Sequence, residues 1–413
     1  MKILLFACLL MFSKVIAQTS RPYVEKVLQI ATDEKLAHER LMNANNVTAA
    51  SNNFDVKYYR CEWQVDPAVR FIRGKVTVYF TILSASNSIS LDLMSSLTTD
   101  SVKQGNTTLN HQHANNVLQV NFTNSLAAGK LDSVTIFYNG VPAATGFGSF
   151  IKDVHATVPV IWTLSEPYGS RDWWPCKNGL DDKADSIDVI VTHPPQYRAA
   201  SNGLLQSETL SGLNKVTHWK HRYPIASYLI CMAVTNYSVF NNSVQLGNVN
   251  LPIQTFCYPE NLTLFQNNTP LVLNALQYFH NTFGEYPFIK EKYGHVQFNW
   301  GGGMEHQTST FIVSPDESLM AHELAHQWFG DKVTCGSWED IWLNEGFATH
   351  LASMYMEQKY PALIKSNRII EINYITSAAG GSVKVDDTTN VGRIFNGRLS
   401  YIKGSHLLYM LRW

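Results

Sequence analysis

Residues 317–329 read ESLMAHELAHQWF and residues 338–346 read WEDIWLNEG. Apolar side chains recur at helical spacing through both, which predicts helices over Glu317 to Phe329 and Trp338 to Gln358. On the first helix His322 and His326 stand at i and i+4 and share a face, so both imidazoles can reach one ion. Glu323 follows His322 and can lean towards a water bound there and take its proton. A chain of this length yields His-Glu-x-x-His by accident with a chance of roughly 5%, so context decides. The motif lies in an apolar-periodic helix, and 18 residues separate His326 from Glu345 on the second helix. Two His and one carboxylate, with a fourth position left to water, form the ligand set of a catalytic zinc site, not a closed structural one. His322, His326 and Glu345 are the expected ligands of one Zn²⁺ per chain, although the ligand types also admit cobalt or manganese.

Upstream, Gly301-Gly302-Gly303-Met304-Glu305 follows a segment with strand character, His295 to Asn299. Glycines at a strand edge let another backbone approach and pair by strand addition. A carboxylate beside them, Glu305, is suited to a substrate ammonium, and taken alone the stretch also reads as a plain turn.

Around these motifs the 413 residues divide by period. Lys2 and an apolar run over residues 3–12, with Val15-Ile16-Ala17 as a small-residue cleavage site, read as a signal peptide at 1–17. The chain is therefore expected to be exported, to a periplasmic or extracellular location. Residues 18–54 read as a helical preface and linker. Alternating β-branched runs such as 75–80, 117–120, 133–138 and 186–191 predict an antiparallel β domain, a sandwich or saddle, over 55–243. A change of period towards 3.6 predicts a mixed domain over 244–413. The fold class is α+β, multidomain. A formal net charge of −1, with no basic patch, argues against nucleic acid as a partner. No apolar run reaches the ~20 residues of a membrane span. Five cysteines remain beyond the leader, at irregular spacing with no C-x-x-C pair, so no disulfide scaffold is expected and at most one or two bridges. Oligomeric state is not legible.

Taken together, Gly302-Gly303-Met304-Glu305, the His-Glu-x-x-His motif about 17 residues later and Glu345 beyond it resemble the zinc metallopeptidases of the aminopeptidase N and leukotriene hydrolase family, the gluzincin aminopeptidases. Tyr401-Ile402-Lys403-Gly404 is similar to the family's Tyr-x-Lys-Gly segment, Ser90-Leu91-Asp92-Leu93 to a family strand, and Ser165-Glu166-Pro167 with Arg171 and Cys176 to the segment carrying the second amine-binding side chain. The resemblance covers about residues 55 to 413 and implies a thermolysin-like catalytic domain. It implies hydrolysis of the N-terminal peptide bond of peptides with a free N-terminus. Glu323 would be the general base, Tyr401 the donor to the oxyanion, and Glu305 with Glu166 the holders of the α-amino group.

There are three departures. His306 stands where the family usually has Asn, and a change in contacts at the substrate's first residue is expected. Leu164 stands where many relatives have Gln, which leaves more of the amine site to Glu166. The chain stops at Trp413 within an apolar run, so the catalytic domain is expected to be incomplete. The rival readings are an endopeptidase of the thermolysin kind, which must admit a chain with no free amine there, an epoxide hydrolase side activity, and a catalytically silent binding protein. Among other candidates, His111-Gln112-His113 reads as solvated loop, His218 and His221 flank Trp219 in a strand, and Trp162, Trp173 and Trp174 read as core. Asp340 and Asn344 are candidate partners of the zinc ligands.

Overall fold

The computed structural model describes residues 49–412, so the expected leader and nearly all of the expected preface lie outside the described residues. The first strand, Phe54–Asp66, shows why the N-terminal part is a sheet: Phe54, Val56, Tyr59, Cys61, Trp63 and Val65 are buried while residues between them are more open. The one break in the alternation, between Val56 and Tyr58, is a register shift against the next strand.

Ten strands form a long sheet in the order 204–211, 214–221, 186–193, 54–66, 69–82, 131–140, 97–104, 107–114, 117–126 and 86–92. Every neighbouring pair is antiparallel except 54–66 with 186–193, which run parallel. Those two strands are far apart in sequence, and the long connection frees their relative direction. A second, four-stranded antiparallel sheet (Arg198–Ser201, Met232–Thr235, Val158–Leu164, Ser149–His155) accompanies the first. Trp162, Trp173 and Trp174, expected in the core, are all buried. Trp63 and Trp173 lie 4.6 Å apart, Trp174 lies 6.0 Å from Trp173, and all three are buried. Trp63 Nε1 donates to the Tyr138 hydroxyl, which donates to the Trp173 carbonyl.

The C-terminal half is built on a five-stranded sheet, in the order Ser238–Leu246, Val249–Cys257, Tyr293–Gln297, Thr310–Ile312, Gly303–Met304. The expected divide at 243/244 falls inside Ser238–Leu246, a strand paired along its length with Val249–Cys257. We propose the divide just before residue 238, where pairing changes from one sheet to the other. Helices follow: α1 (Leu262–Phe283), α2 (Glu317–His326), α3 (Trp342–Lys359), α4 (Ile364–Ile375), α5 (Val391–Ile394) and α6 (Gly404–Leu411), with a π-helical turn over Gly397–Lys403.

Three boundaries differ from the sequence pattern. Helix α1 runs through Pro270, although a proline inside a helix marks a break in a sequence pattern. Pro270 and Gln266, whose carbonyl loses its donor, are exposed, so water replaces the lost bond. Helix α2 ends at His326 instead of Phe329, because the ladder tightens there to i→i+3 bonds, the Gln327 and Trp328 amides donating to the Leu324 and Ala325 carbonyls, before the backbone reverses at Gly330 (φ +137°). The second expected helix is split by a 3₁₀ turn, Trp338–Asp340, before α3 begins. His113 is also corrected. It lies on the strand Thr107–Ala114, with Nε2 2.9 Å from the Leu93 carbonyl, and is not in a solvated loop. Cys61, Cys176, Cys231, Cys257 and Cys335 are all free and buried, so there is no disulfide among the described residues.

Burial holds the His295 and His306 imidazoles down at about 3. Both are neutral in the folded chain, and the unfolded chain takes up their protons below its ordinary value of about 6.5. The unfolded state then binds more protons, so stability falls as pH drops from about 6.5 towards 3. Each is expected to cost on the order of 2 kcal/mol between pH 7 and pH 5. Urea unfolding at the two pH values, with His295→Asn alongside, checks this; equal midpoints for the parent would refute it.

Candidate active site

Helix α2 starts cleanly because Asp316 caps it, its Oδ1 accepting from the Ser318 and Leu319 amides at 3.0 and 3.3 Å. That fixes the rotation of the helix and turns His322 and His326 towards α3, where Glu345 sits in the first turn. The three side chains are almost wholly buried. Their donor atoms make a near-equilateral triangle: Nε2 to Nε2 is 3.2 Å, and the two Nε2 atoms lie 3.3 and 3.4 Å from Glu345 Oε2. Two ligands held about 2.05 Å from a tetrahedral ion are about 3.3 Å apart. The triangle therefore has the dimensions of three corners of a zinc tetrahedron. His326 Nδ1 lies 3.1 Å from the Phe329 carbonyl, which must be accepting, so that Nε2 is left free for the metal. Asn344 does not serve a ligand in this way; its Oδ1 accepts from the Cys335 amide. Asp340 sits in the 3₁₀ turn ahead of α3.

Glu323, the expected base, lines the same cleft, together with Glu166, Gly303, Met304 and Glu305. It lies flat against the glycine run: a Cβ on Gly303 would come 2.3 Å from Glu323 Oε1. Gly303 is thus required by contact with the base. The expected result for Gly303→Ala is a displaced Glu323 and a kcat lower by about 10²-fold, with zinc content unchanged. Turnover and metal content on one preparation check it; loss of both together would assign Gly303 a role in folding instead.

Gly303–Met304 is the terminal strand of the five-stranded sheet, pairing on one side with Thr310–Ile312. Gly302 belongs to the same ladder through its carbonyl, which accepts from the Val313 amide. One edge of this strand has no neighbouring strand in the sheet, which is what backbone pairing to a peptide requires. Glu305 follows, and Glu166 comes to it from the β domain: carboxylate oxygens of Glu166, Glu305 and Glu345 lie within 4.8 Å of one another. Burial pushes the Glu305 carboxyl up to about 7, and the Glu345 charge adds to the rise. Among the protein groups alone, burial resists charge on Glu345, yet His326 and His322 beside it hold its carboxyl down at about 2.

Tyr401 is brought in by a glycine contact. A Cβ on Gly346 would come 2.9 Å from the Gly404 carbonyl carbon, so α3 and the start of α6 touch backbone to backbone. The Tyr401 ring then lies 6.0 Å from the His322 ring, only 17° from parallel. His306, next to Glu305, is buried, with its ring packed edge-on to Phe311 at 4.4 Å.

Three residues that shape the site carried no signal in the sequence. Gln327, directly after His326, donates to the Glu305 carbonyl at 3.1 Å and accepts from the Thr308 amide at 2.9 Å, tying the zinc helix to the amine-binding segment. Phe147 and Trp300 line the cleft with Leu164. Aromatic residues in a loop and beside a glycine run look like ordinary core in a sequence.

The comparisons agree with this geometry. Residues 55–229 match the peptidase M1 N-terminal domain and residues 305–413 match the peptidase family M1 domain, together more than half of the chain. The chain belongs to the M1 family of zinc metallopeptidases. It is 28% identical to the glutamyl aminopeptidase of Bos taurus over 284 residues, 62% of this chain and 29% of that protein. The Homo sapiens glutamyl aminopeptidase is likewise 28% identical, over 61% of this chain and 28% of that protein. The chain thus spans less than a third of the length of these curated relatives. Its fold is that of the M1 zinc metallopeptidase of Deinococcus radiodurans, with a TM-score of 0.77 at 24% identity over 88% of this chain and 83% of that one.

Proposed function

We propose that the chain is an exported aminopeptidase that removes the first residue from peptides with a free N-terminus. The observation that carries this reading is the meeting of Glu166 and Glu305 beside the zinc triangle. Two buried carboxylates there reward an ammonium and leave a neutral peptide amide poorly paired, which disfavours an endopeptidase. An incoming ammonium also favours the ionised form of Glu305, whose carboxyl burial otherwise raises to about 7.

Bound zinc supplies Lewis acidity, polarising a carbonyl and making water acidic enough to act as nucleophile near neutral pH. The residues supply the rest. The Gly303–Met304 edge aligns the substrate backbone, and Glu305 with Glu166 fixes its end. Glu323 takes one proton as the water oxygen bonds to the carbonyl carbon. Tyr401 donates to the carbonyl oxygen as negative charge gathers on it. Glu323 then delivers its proton to the leaving nitrogen as the C–N bond breaks. The silent-scaffold reading is disfavoured by Glu166, Glu305 and Glu323 lining one cleft with the zinc ligands, with the Tyr401 ring 6.0 Å from that of His322.

Release of amine from aminoacyl anilides and from their N-acetylated counterparts tests the reading. Free-amine substrates are expected to be cleaved and blocked ones not; equal cleavage refutes it. Glu305→Gln is expected to raise KM for free-amine substrates by about 10- to 100-fold, with a smaller change in kcat, since a charge-assisted pair is lost. An unchanged KM would remove Glu305 from the amine site. Export rests on the leader pattern at 1–17. N-terminal sequencing of protein recovered outside the cytoplasm checks it, and Gln18 as the first residue is expected.

A further inference from the structure

Directly after Glu305 the backbone makes a tight turn over residues 306–309, closed by the Ser309 amide donating to the His306 carbonyl at 2.9 Å. Inside it Thr308 has φ +65°, a left-handed conformation that a β-branched residue keeps only when its surroundings impose it. Here every polar group of Thr308 is held. Its amide donates to Gln327 Oε1 at 2.9 Å, and its hydroxyl accepts from the Gly203 amide at 2.8 Å. Its carbonyl accepts from Lys292 Nζ at 2.9 Å, while Asn202 Nδ2 donates to the Gln307 carbonyl at 2.8 Å.

Lys292 is the costly member of this set. Its side chain is buried, its ammonium also donates to Ser309 Oγ at 2.6 Å, and it lies 5.5 Å from the centre of the Trp219 ring. The carboxylate beside it in sequence, Glu291, is taken by His221 and by the Arg222 amide. Burial lowers the ammonium from its ordinary value to about 8, so holding the charge there opposes folding. An apolar side chain of the same size would fill the space without that penalty, and stability alone does not account for a lysine.

Resting on the aminopeptidase reading, we propose that Lys292 is a positioning residue, which holds the 306–309 turn and thereby sets the Glu305 carboxylate against the substrate's α-amino group. It acts through Thr308 and Ser309, without contact with substrate. The turn it holds is where three parts of the chain meet. Ser309 Oγ donates to the Ser201 carbonyl at 2.7 Å, so Ser201, Asn202 and Gly203 tie the turn to the N-terminal half. Gln327 ties it to the zinc helix, and Lys292 to the strand that begins at Tyr293. Loosening the turn displaces Glu305 relative to the zinc ligands. The effect belongs in KM, because the amine contact is made equally in the bound substrate and in the transition state.

Lys292→Met keeps the bulk and removes the charge and both donated bonds. It is expected to raise KM for a free-amine anilide by about 10-fold, with kcat within about 3-fold of the parent and zinc content unchanged. In a Glu305→Gln background the same substitution is expected to change KM by less than about 2-fold, since the carboxylate it acts through is gone. A parental KM overturns the proposal, and so does a rise that persists undiminished in Glu305→Gln. A purely structural lysine gives the opposite split, with kcat and zinc content falling together while KM stays. Should Lys292→Met not fold, Ser309→Ala removes one of its two acceptors and leaves the ammonium in place. KM is then expected to rise by about 3-fold, and an unchanged KM overturns the proposal. A parent that cleaves no free-amine substrate defeats the aminopeptidase reading, and this role falls with it. An active parent beside a Lys292→Met variant of equal KM defeats the positioning role alone.

Discussion

Glu323→Gln in the zinc-loaded chain is expected to lower kcat by about 10²- to 10⁴-fold, the range for loss of a positioned general base. The substitution changes one oxygen to an amide nitrogen and keeps the shape. The side chain lies against Gly303, where an added Cβ would stand 2.3 Å from Glu323 Oε1, so an isosteric replacement leaves that packing in place. A carboxamide cannot take a proton from water near neutral pH, and it has none suited to the leaving amine. Zinc content is expected to stay at one ion per chain, because Glu323 is not a corner of the ligand triangle. The two readouts must separate. Undiminished turnover with zinc bound would remove Glu323 from the mechanism, and joint loss of zinc and turnover would make it a ligand.

His326→Ala is expected to weaken zinc binding by about 10²- to 10³-fold, taking an equal share of the 10–16 kcal/mol that four-ligand zinc sites provide. Turnover falls with occupancy. The triangle leaves little room for rescue: its edges are 3.2, 3.3 and 3.4 Å, and without His326 only one Nε2 and one carboxylate remain. The loss also strips Glu345 of the imidazole that most favours its charge, so the burial cost of that carboxylate is no longer offset. Metal content after dialysis against a chelator, with thermal midpoints with and without added zinc, checks this. The parent midpoint is expected to rise with free zinc, by about 4 kcal/mol of stabilisation at a thousandfold excess over Kd. The variant's midpoint is expected to show little dependence. One zinc per chain retained by His326→Ala after dialysis would sink the three-ligand assignment.

The sequence by itself determined the local part of this protein. His322, Glu323 and His326 share one helix turn, and a helix presents residues i and i+4 together whatever surrounds it. The strands around Val76, Val134 and Val189 were legible because alternate residues face the core, and that period survives any arrangement of the sheet. What the residues alone did not specify lies between elements. Glu345 reaches the His pair because α3 packs on α2. Glu166 reaches Glu305 across the junction of the two halves, and only the resemblance named it in advance. A strand looks the same whichever sheet it joins, so a divide drawn at 243/244 cuts through Ser238–Leu246, which pairs along its length with Val249–Cys257. Gln327, Phe147 and Trp300 were missed for a related reason. A glutamine after a zinc-binding histidine acquires its role only when the Glu305 carbonyl is brought within 3.1 Å, and an aromatic side chain becomes a pocket wall only when the space before it is left open. Periodicity records which face of an element is buried; what that face meets depends on the packing of distant segments, and the tertiary structure alone decides it.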